Sequence, residues 1–194
     1  MKFEFKLGNT YSYAAYIALT ESLVLENKTT GPNQSTTLID FTKLNLKRMQ
    51  RLNKTLKVNS SVQNKLSTEA KPQRWIVISE AWCGDAAQNL PILNKLAEQS
   101  ENIQLEIVLR DENLDIIDAF LTNGGRSIPK LIAVDDNNDV LFSWGPRPQK
   151  AQDLFTEHRN NPGNQSDEAF KLALHTWYSW NKSEEVQAEF LALV

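Results

Sequence analysis

The chain has one cysteine, Cys83, in 194 residues. No intramolecular disulfide can form, so any disulfide it makes joins it to another molecule. Histidine is nearly as scarce. His158 and His175 are the only two, distant in sequence and without ligand spacing to Cys83, so no metal site is expected. Long apolar runs are missing as well. No window approaches the roughly 18 consecutive apolar residues of a membrane span, and no membrane partner is expected. Charge is nearly balanced at −3, which gives no reason to expect nucleic acid. The opening MKFEFKLGNTYSYAAYIALTE puts charges ahead of a short, tyrosine-bearing apolar run. It lacks a clean small-residue cleavage site, so a secretory signal is not expected. A cytoplasmic location is the expectation, in keeping with the single thiol.

What is present is an apolar fraction of 41%, enough for a core and too much for general disorder. The length suits one domain with generous additions. Three regions separate by pattern. Residues 1–72 read as a helical N-terminal extension packed on the core. Tyr13, Tyr16, Ile17, Leu19, Leu23 and Val24 recur at helical spacing, and Gly31-Pro32 then breaks the chain. Thr36 or Thr37 can cap a second helix bearing Leu38, Phe41, Met49, Leu52 and Leu56. A weaker helix and a linker follow.

Residues 73–159 change character. WIVIS is a short apolar run rich in β-branched residues, the mark of a buried strand. Residues 89–99 carry helical spacing, IQLEIVL alternates as a strand, and NLDIIDAFLTNGG predicts a helix closed by glycines. KLIAVDD and VLFSW predict two more strands joined at an Asn-Asn turn. The order β-α-β-α-β-β implies a parallel pair first and a hairpin last. One helix is expected over 151–159. Residues 160–194 form a C-terminal helical extension, with Phe170, Leu174 and Trp177 along one long last helix.

The chemistry concentrates in WCGDAAQNLP, residues 82–91. Cys83 follows a buried strand and opens a helix. There it meets unpaired backbone N–H groups and the positive end of the helix dipole, both of which favour thiolate. Asp85 complements the same dipole but, as an anion beside sulfur, raises the thiol pKa. A lone cysteine serving as a small buried hydrophobe is the plainer reading. Further on, Pro129 opens a strand, where it can donate nothing to the ladder. A cis Ile128–Pro129 bond would turn the Ile128 backbone toward the open side; a trans turn proline is the commoner arrangement. Lys43, Lys47, Arg48, Arg51, Lys54 and Lys57 form a basic stretch with no acid between them. It reads as a solvated face, or as a basic lip near Cys83 that offsets Asp85.

The segment WCGDAAQNLPILNKLAE resembles the active-site segment of thioredoxins, W-C-G-P-C followed by a helix with an internal proline. Trp82, Cys83, Gly84 and Pro91 fall on that register. RSIPKL resembles the thioredoxin segment that carries the cis-proline, and Gly145 falls where the family has a glycine after its last hairpin. The chain is similar, more loosely, to a bacterial group of thioredoxin-like proteins with helices added at both ends. The resemblance implies a thioredoxin-like α/β three-layer sandwich with a four-stranded central sheet. It implies Cys83 as nucleophile, with Trp82, Gly84, Asp85, Arg126, Ser127, Ile128 and Pro129 around the substrate.

Three departures bear on activity. Ala86 stands where the family has its resolving cysteine, Val77 where it has a buried acid, and Asp85 where it has the motif proline. A dithiol cycle is therefore excluded. The expected function is monothiol thiol–disulfide exchange, with a protein or low-molecular-weight thiol or disulfide as partner. The only cofactor-like requirement is then an external resolving thiol. The alternative is a redox-inactive binding module for a peptide or protein. A homodimer through the added helices stays open.

Overall fold

The computed structural model describes residues 5–161, 163 and 165–194. The start of the N-terminal extension, and Pro162 and Asn164 of the C-terminal one, lie outside the described residues. The centre of the molecule is β2 (Gln73–Ser79), flanked by β3 (Ile103–Leu109) in parallel and β4 (Lys130–Val134) in antiparallel pairing. Val77 pairs with Ile107 on one side and Leu131 on the other. Trp75, Ile76, Val77 and Ile78 are fully buried. This strand is apolar on successive residues because both of its faces are covered.

β5 (Val140–Trp144) adds to β4 as a hairpin, and β1 (Thr10–Tyr11) adds to β3 at the other edge. The sheet thus has five strands in the order β1-β3-β2-β4-β5, one more than expected. A two-residue strand is too short to leave an alternation in the sequence.

Helices cover the sheet. α1 (Tyr13–Leu25) is capped by Ser12, whose hydroxyl accepts from Ala15 N–H at 3.2 Å. α2 (Thr36–Thr55) and α3 (Ser60–Glu69) complete the N-terminal region and pack on α4 (Gly84–Ala97). α5 (Leu114–Ala119) is shorter than expected. Thr122 and Gly125 exchange backbone hydrogen bonds of 2.9 and 3.0 Å in a tight turn, so the glycines close that turn rather than the helix.

α6 (Gln149–Asn160) is followed by α7 (Asp167–Asn181) and α8 (Glu184–Leu193). One long last helix was expected; there are two. Lys182 and Ser183 both take left-handed backbone, with φ of 48° and 74°, and no glycine or proline marks the break. The turn sends α8 back across the core. Phe190 is fully buried there, its ring centroid 5.1 Å from Trp75 and 5.6 Å from Trp144.

Tyr16, Met49 and Leu66 from the first region and Val186 and Phe190 from the last share one core with the central strands. A smaller apolar cluster of Ala151, Phe170, Leu174 and Tyr178 ties α6 to α7. No helix among the described residues is long and apolar enough to cross a membrane.

Candidate functional site

Cys83 is the N-cap of α4. Its sulfur accepts from Ala86 N–H at 3.4 Å and donates its proton to the Ile128 carbonyl at 3.2 Å. The Ile128–Pro129 bond is cis, and so is Gly145–Pro146, which the sequence reading did not single out. Gly145 lies directly behind this loop. It has φ +107°, and a Cβ there would overlap the Pro129 carbonyl oxygen. Only glycine combines that φ with so close an approach.

The turn ahead of the thiol is held from the N-terminal region. Thr30 Oγ1 accepts from Ala81 N–H at 2.9 Å, and Asn45 Nδ2 donates to the Ala81 carbonyl at 2.9 Å. Both side chains are buried, and they satisfy a backbone that leaves the sheet just before Trp82. Glu80, also buried, accepts from Asp111 N–H at 2.9 Å. Burial holds its carboxyl above the usual range.

Asp85, in the first turn of α4, faces the C-terminal region. Arg147 Nη2 lies 2.6 Å from its Oδ2, and the Tyr178 hydroxyl donates to its Oδ1 at 3.1 Å. Asn89 Nδ2 links the Tyr178 oxygen at 3.2 Å to the Asp85 carbonyl at 3.0 Å. The Arg147 guanidinium also stacks 4.1 Å from the Phe155 ring centroid.

These contacts set the protonation of the thiol. Burial first, and the Asp85 carboxylate second, push Cys83 up to about 12. The N–H groups of Ala86 and Asp85 and the Arg147 cation pull the other way and are outweighed. Burial likewise holds the Asp85 carboxyl above its ordinary value against Arg147 and Tyr178. The resting sulfur is thus a protonated thiol at neutral pH, on a residue that is 7% exposed.

An open cleft of about 840 Å³ lies over this sulfur, a volume suited to a small molecule or a short peptide segment. It brings together Trp82, Cys83, Gly84, Asp85, Arg126, Ser127 and Ile128, while Pro129 lies buried behind it. Arg126 is committed to a bidentate pair with Asp118, at 2.6 Å through both Nε and Nη2. Trp82 carries the Arg110 guanidinium 4.9 Å from its ring centroid.

Helices on either side of the sequence of strands supply much of the remaining lining. Leu38, Phe41 and Arg48 belong to α2; Phe155 and His158 to α6; Lys171 and His175 to α7. Arg48 is thus the member of the basic stretch that lines the cleft, and both histidines reach it despite their distance in sequence. His158 Nε2 is 3.0 Å from Asp167, and its ring stacks on Phe170 with centroids 4.3 Å apart. No group of three or more His, Cys, Asp or Glu among the described residues could hold a metal ion.

A cysteine capping a helix beside a cis-proline, on a sheet of this order, marks a thioredoxin-like fold. The sequence model of the thioredoxin family matches residues 31–159, more than half of the chain. The chain belongs to the thioredoxin family. α2 and α3 fall inside the matched span, α7 and α8 outside it.

Two solved structures share the fold. One is a protein of unknown function from Pseudomonas aeruginosa, 21% identical, with a TM-score of 0.57 over 94% of this chain and 96% of that one. The other is an HIV epitope scaffold, 20% identical, with a TM-score of 0.55 over 94% of this chain and 97% of that one. No curated protein matches the chain.

Proposed function

We propose that the protein carries out monothiol thiol–disulfide exchange through Cys83. The observation behind this reading is the position of the sulfur. It caps α4, lies 3.2 Å from the Ile128 carbonyl, and opens onto the cleft. In the first step the Cys83 thiolate attacks one sulfur of a partner disulfide. The new S–S bond forms as the old one breaks, the partner's other sulfur leaves as thiolate, and the cysteine proton goes to solvent. A second thiol, as its thiolate, then attacks the mixed disulfide and releases Cys83. Trp82 shields the sulfur, and the Ile128 backbone, whose carbonyl the thiol proton occupies at rest, offers strand-like pairing to a peptide substrate once the thiol reacts. Arg126, Ser127, Gly84 and Asp85 border the same path.

The pKa near 12 makes this exchange slow in the free protein, because only the thiolate attacks. The same observation favours a second reading. A protonated thiol on a buried residue, with no resolving partner, suits a groove that binds a peptide without chemistry. Incubation with glutathione disulfide separates the two. A mixed disulfide at Cys83 that reduced glutathione then removes supports exchange. Absence of any adduct after prolonged incubation at pH 9 leaves the binding module as the function.

A further inference from the structure

Arg48, Arg159 and Lys171, unlike the other arginines lining the cleft, form no ion pair with a carboxylate among the described residues. Arg48 is the least exposed of them. Its Nη1 donates to Asn45 Oδ1 at 3.0 Å, which holds the guanidinium in place without neutralising it. The acid acting on it is Asp85, already engaged by Arg147 and Tyr178.

Arg48 Nη1 and His175 Cε1 each lie 3.6 Å from where a Cβ of Gly84 would be. Both therefore sit against the residue next to the thiol. His175 Nδ1 is buried and has no hydrogen-bond partner. Burial first, and Arg48 second, push this imidazole down to about 4, so it is neutral at pH 7. A half-buried cation and an imidazole with one unpartnered ring nitrogen thus line the same open cleft, both against Gly84, the residue next to the thiol. Desolvated cations of this kind are stabilised by an oxyanion that accepts their N–H groups.

We infer that Arg48 and His175 form an oxyanion subsite over Gly84, which holds a carboxylate or phosphate group of a small, partly apolar ligand. Leu38, Phe41 and Trp82 supply the apolar flank. Combined with the exchange reading, on which this part rests, the preferred disulfides are those of anionic low-molecular-weight thiols.

The test follows His175 by NMR in the full chain. S-methylglutathione carries two carboxylates and no reactive sulfur, and inorganic phosphate serves as a separate arm. On saturation with one of them the His175 pKa should rise, because the bound anion opposes the Arg48 charge while burial keeps it below the ordinary value. Movement with S-methylglutathione alone assigns the subsite to carboxylates, and movement with phosphate alone assigns it to phosphates. Arg48→Gln should weaken binding at least about tenfold, the loss expected for one charge-assisted contact, and abolish the shift. Arg48→Lys, which keeps the charge, should retain part of both.

A His175 resonance that ignores both probes, or moves equally in Arg48→Gln, overturns the subsite. The two proposals fail separately. If His175 responds but glutathione disulfide never modifies Cys83, exchange falls and the subsite stands. If anionic dithiodiglycolate and neutral hydroxyethyl disulfide modify Cys83 equally fast and His175 stays still, the subsite falls and exchange stands.

Discussion

Arg147 on the loop after β5 and Asp85 in the first turn of α4 form a 2.6 Å ion pair beside the thiol, each side chain only 13% exposed. The pair leaves enough negative field on the sulfur to reinforce burial in raising its pKa. Asp85→Asn should therefore lower the Cys83 pKa. Each unit of decrease should raise the alkylation rate at pH 8 about tenfold. The check is the iodoacetamide rate against pH, with circular dichroism to verify the fold. A midpoint that stays where it was would show that the carboxylate does not act on the thiol.

The same shift carries a stability signature. The folded thiol binds its proton up to about pH 12, whereas the unfolded one releases it near 9. Its contribution is complete below pH 9 and is lost as pH rises from there through about 12. The buried tyrosines Tyr13 and Tyr16, also raised, add to the alkaline loss in any variant that keeps them. Urea unfolding of wild type and Cys83→Ser between pH 8 and 11 isolates the thiol. The stability difference should shrink steadily in favour of the serine variant. A constant difference would contradict the raised pKa.

Gly145→Ala should destabilise the chain by about 1–3 kcal/mol or more, since a Cβ at φ +107° meets the Pro129 carbonyl. The loop carrying Ile128 would have to retreat. Chemical denaturation gives the loss, and a faster iodoacetamide reaction would report the loosened cover over Cys83. Wild-type stability in this variant would mean that the loop yields freely.

Phe190→Ala should cost about 3–5 kcal/mol, as for other fully buried aromatic rings. The ring contacts Trp75, Phe142 and Trp144, so the loss appears in a single global unfolding transition with a tryptophan signal. A separate early transition would instead mark α8 as an independent unit.

Much of the fold was legible in the sequence because burial leaves periodic traces. The run Trp75 to Ile78 reads as a buried strand from its apolar continuity and β-branched residues, and WCGD followed by SIPK supplies the order of the loops around the thiol. What was not legible is long-range. Nothing near Tyr178 announces a hydrogen bond to Asp85, and nothing in Arg147 singles it out from other loop arginines. Arg48 was visible only as one member of a basic stretch, since the helix face it occupies depends on how α2 packs. Thr10–Tyr11 and the Lys182–Ser183 break left no signal, because neither a two-residue strand nor a left-handed pair of ordinary residues has a compositional mark.

Tyr178 and Asp85 are 93 residues apart in the chain, and Phe155 and His175 also reach the cleft from beyond the hairpin. The surroundings of the thiol are thus assembled from distant parts of the chain, with α4 supplying the cap and α7 a partner of Asp85. A local opening that frees α7 breaks the Tyr178–Asp85 hydrogen bond without touching the sheet. The alkylation rate of this one sulfur therefore reports how firmly the C-terminal helices are held.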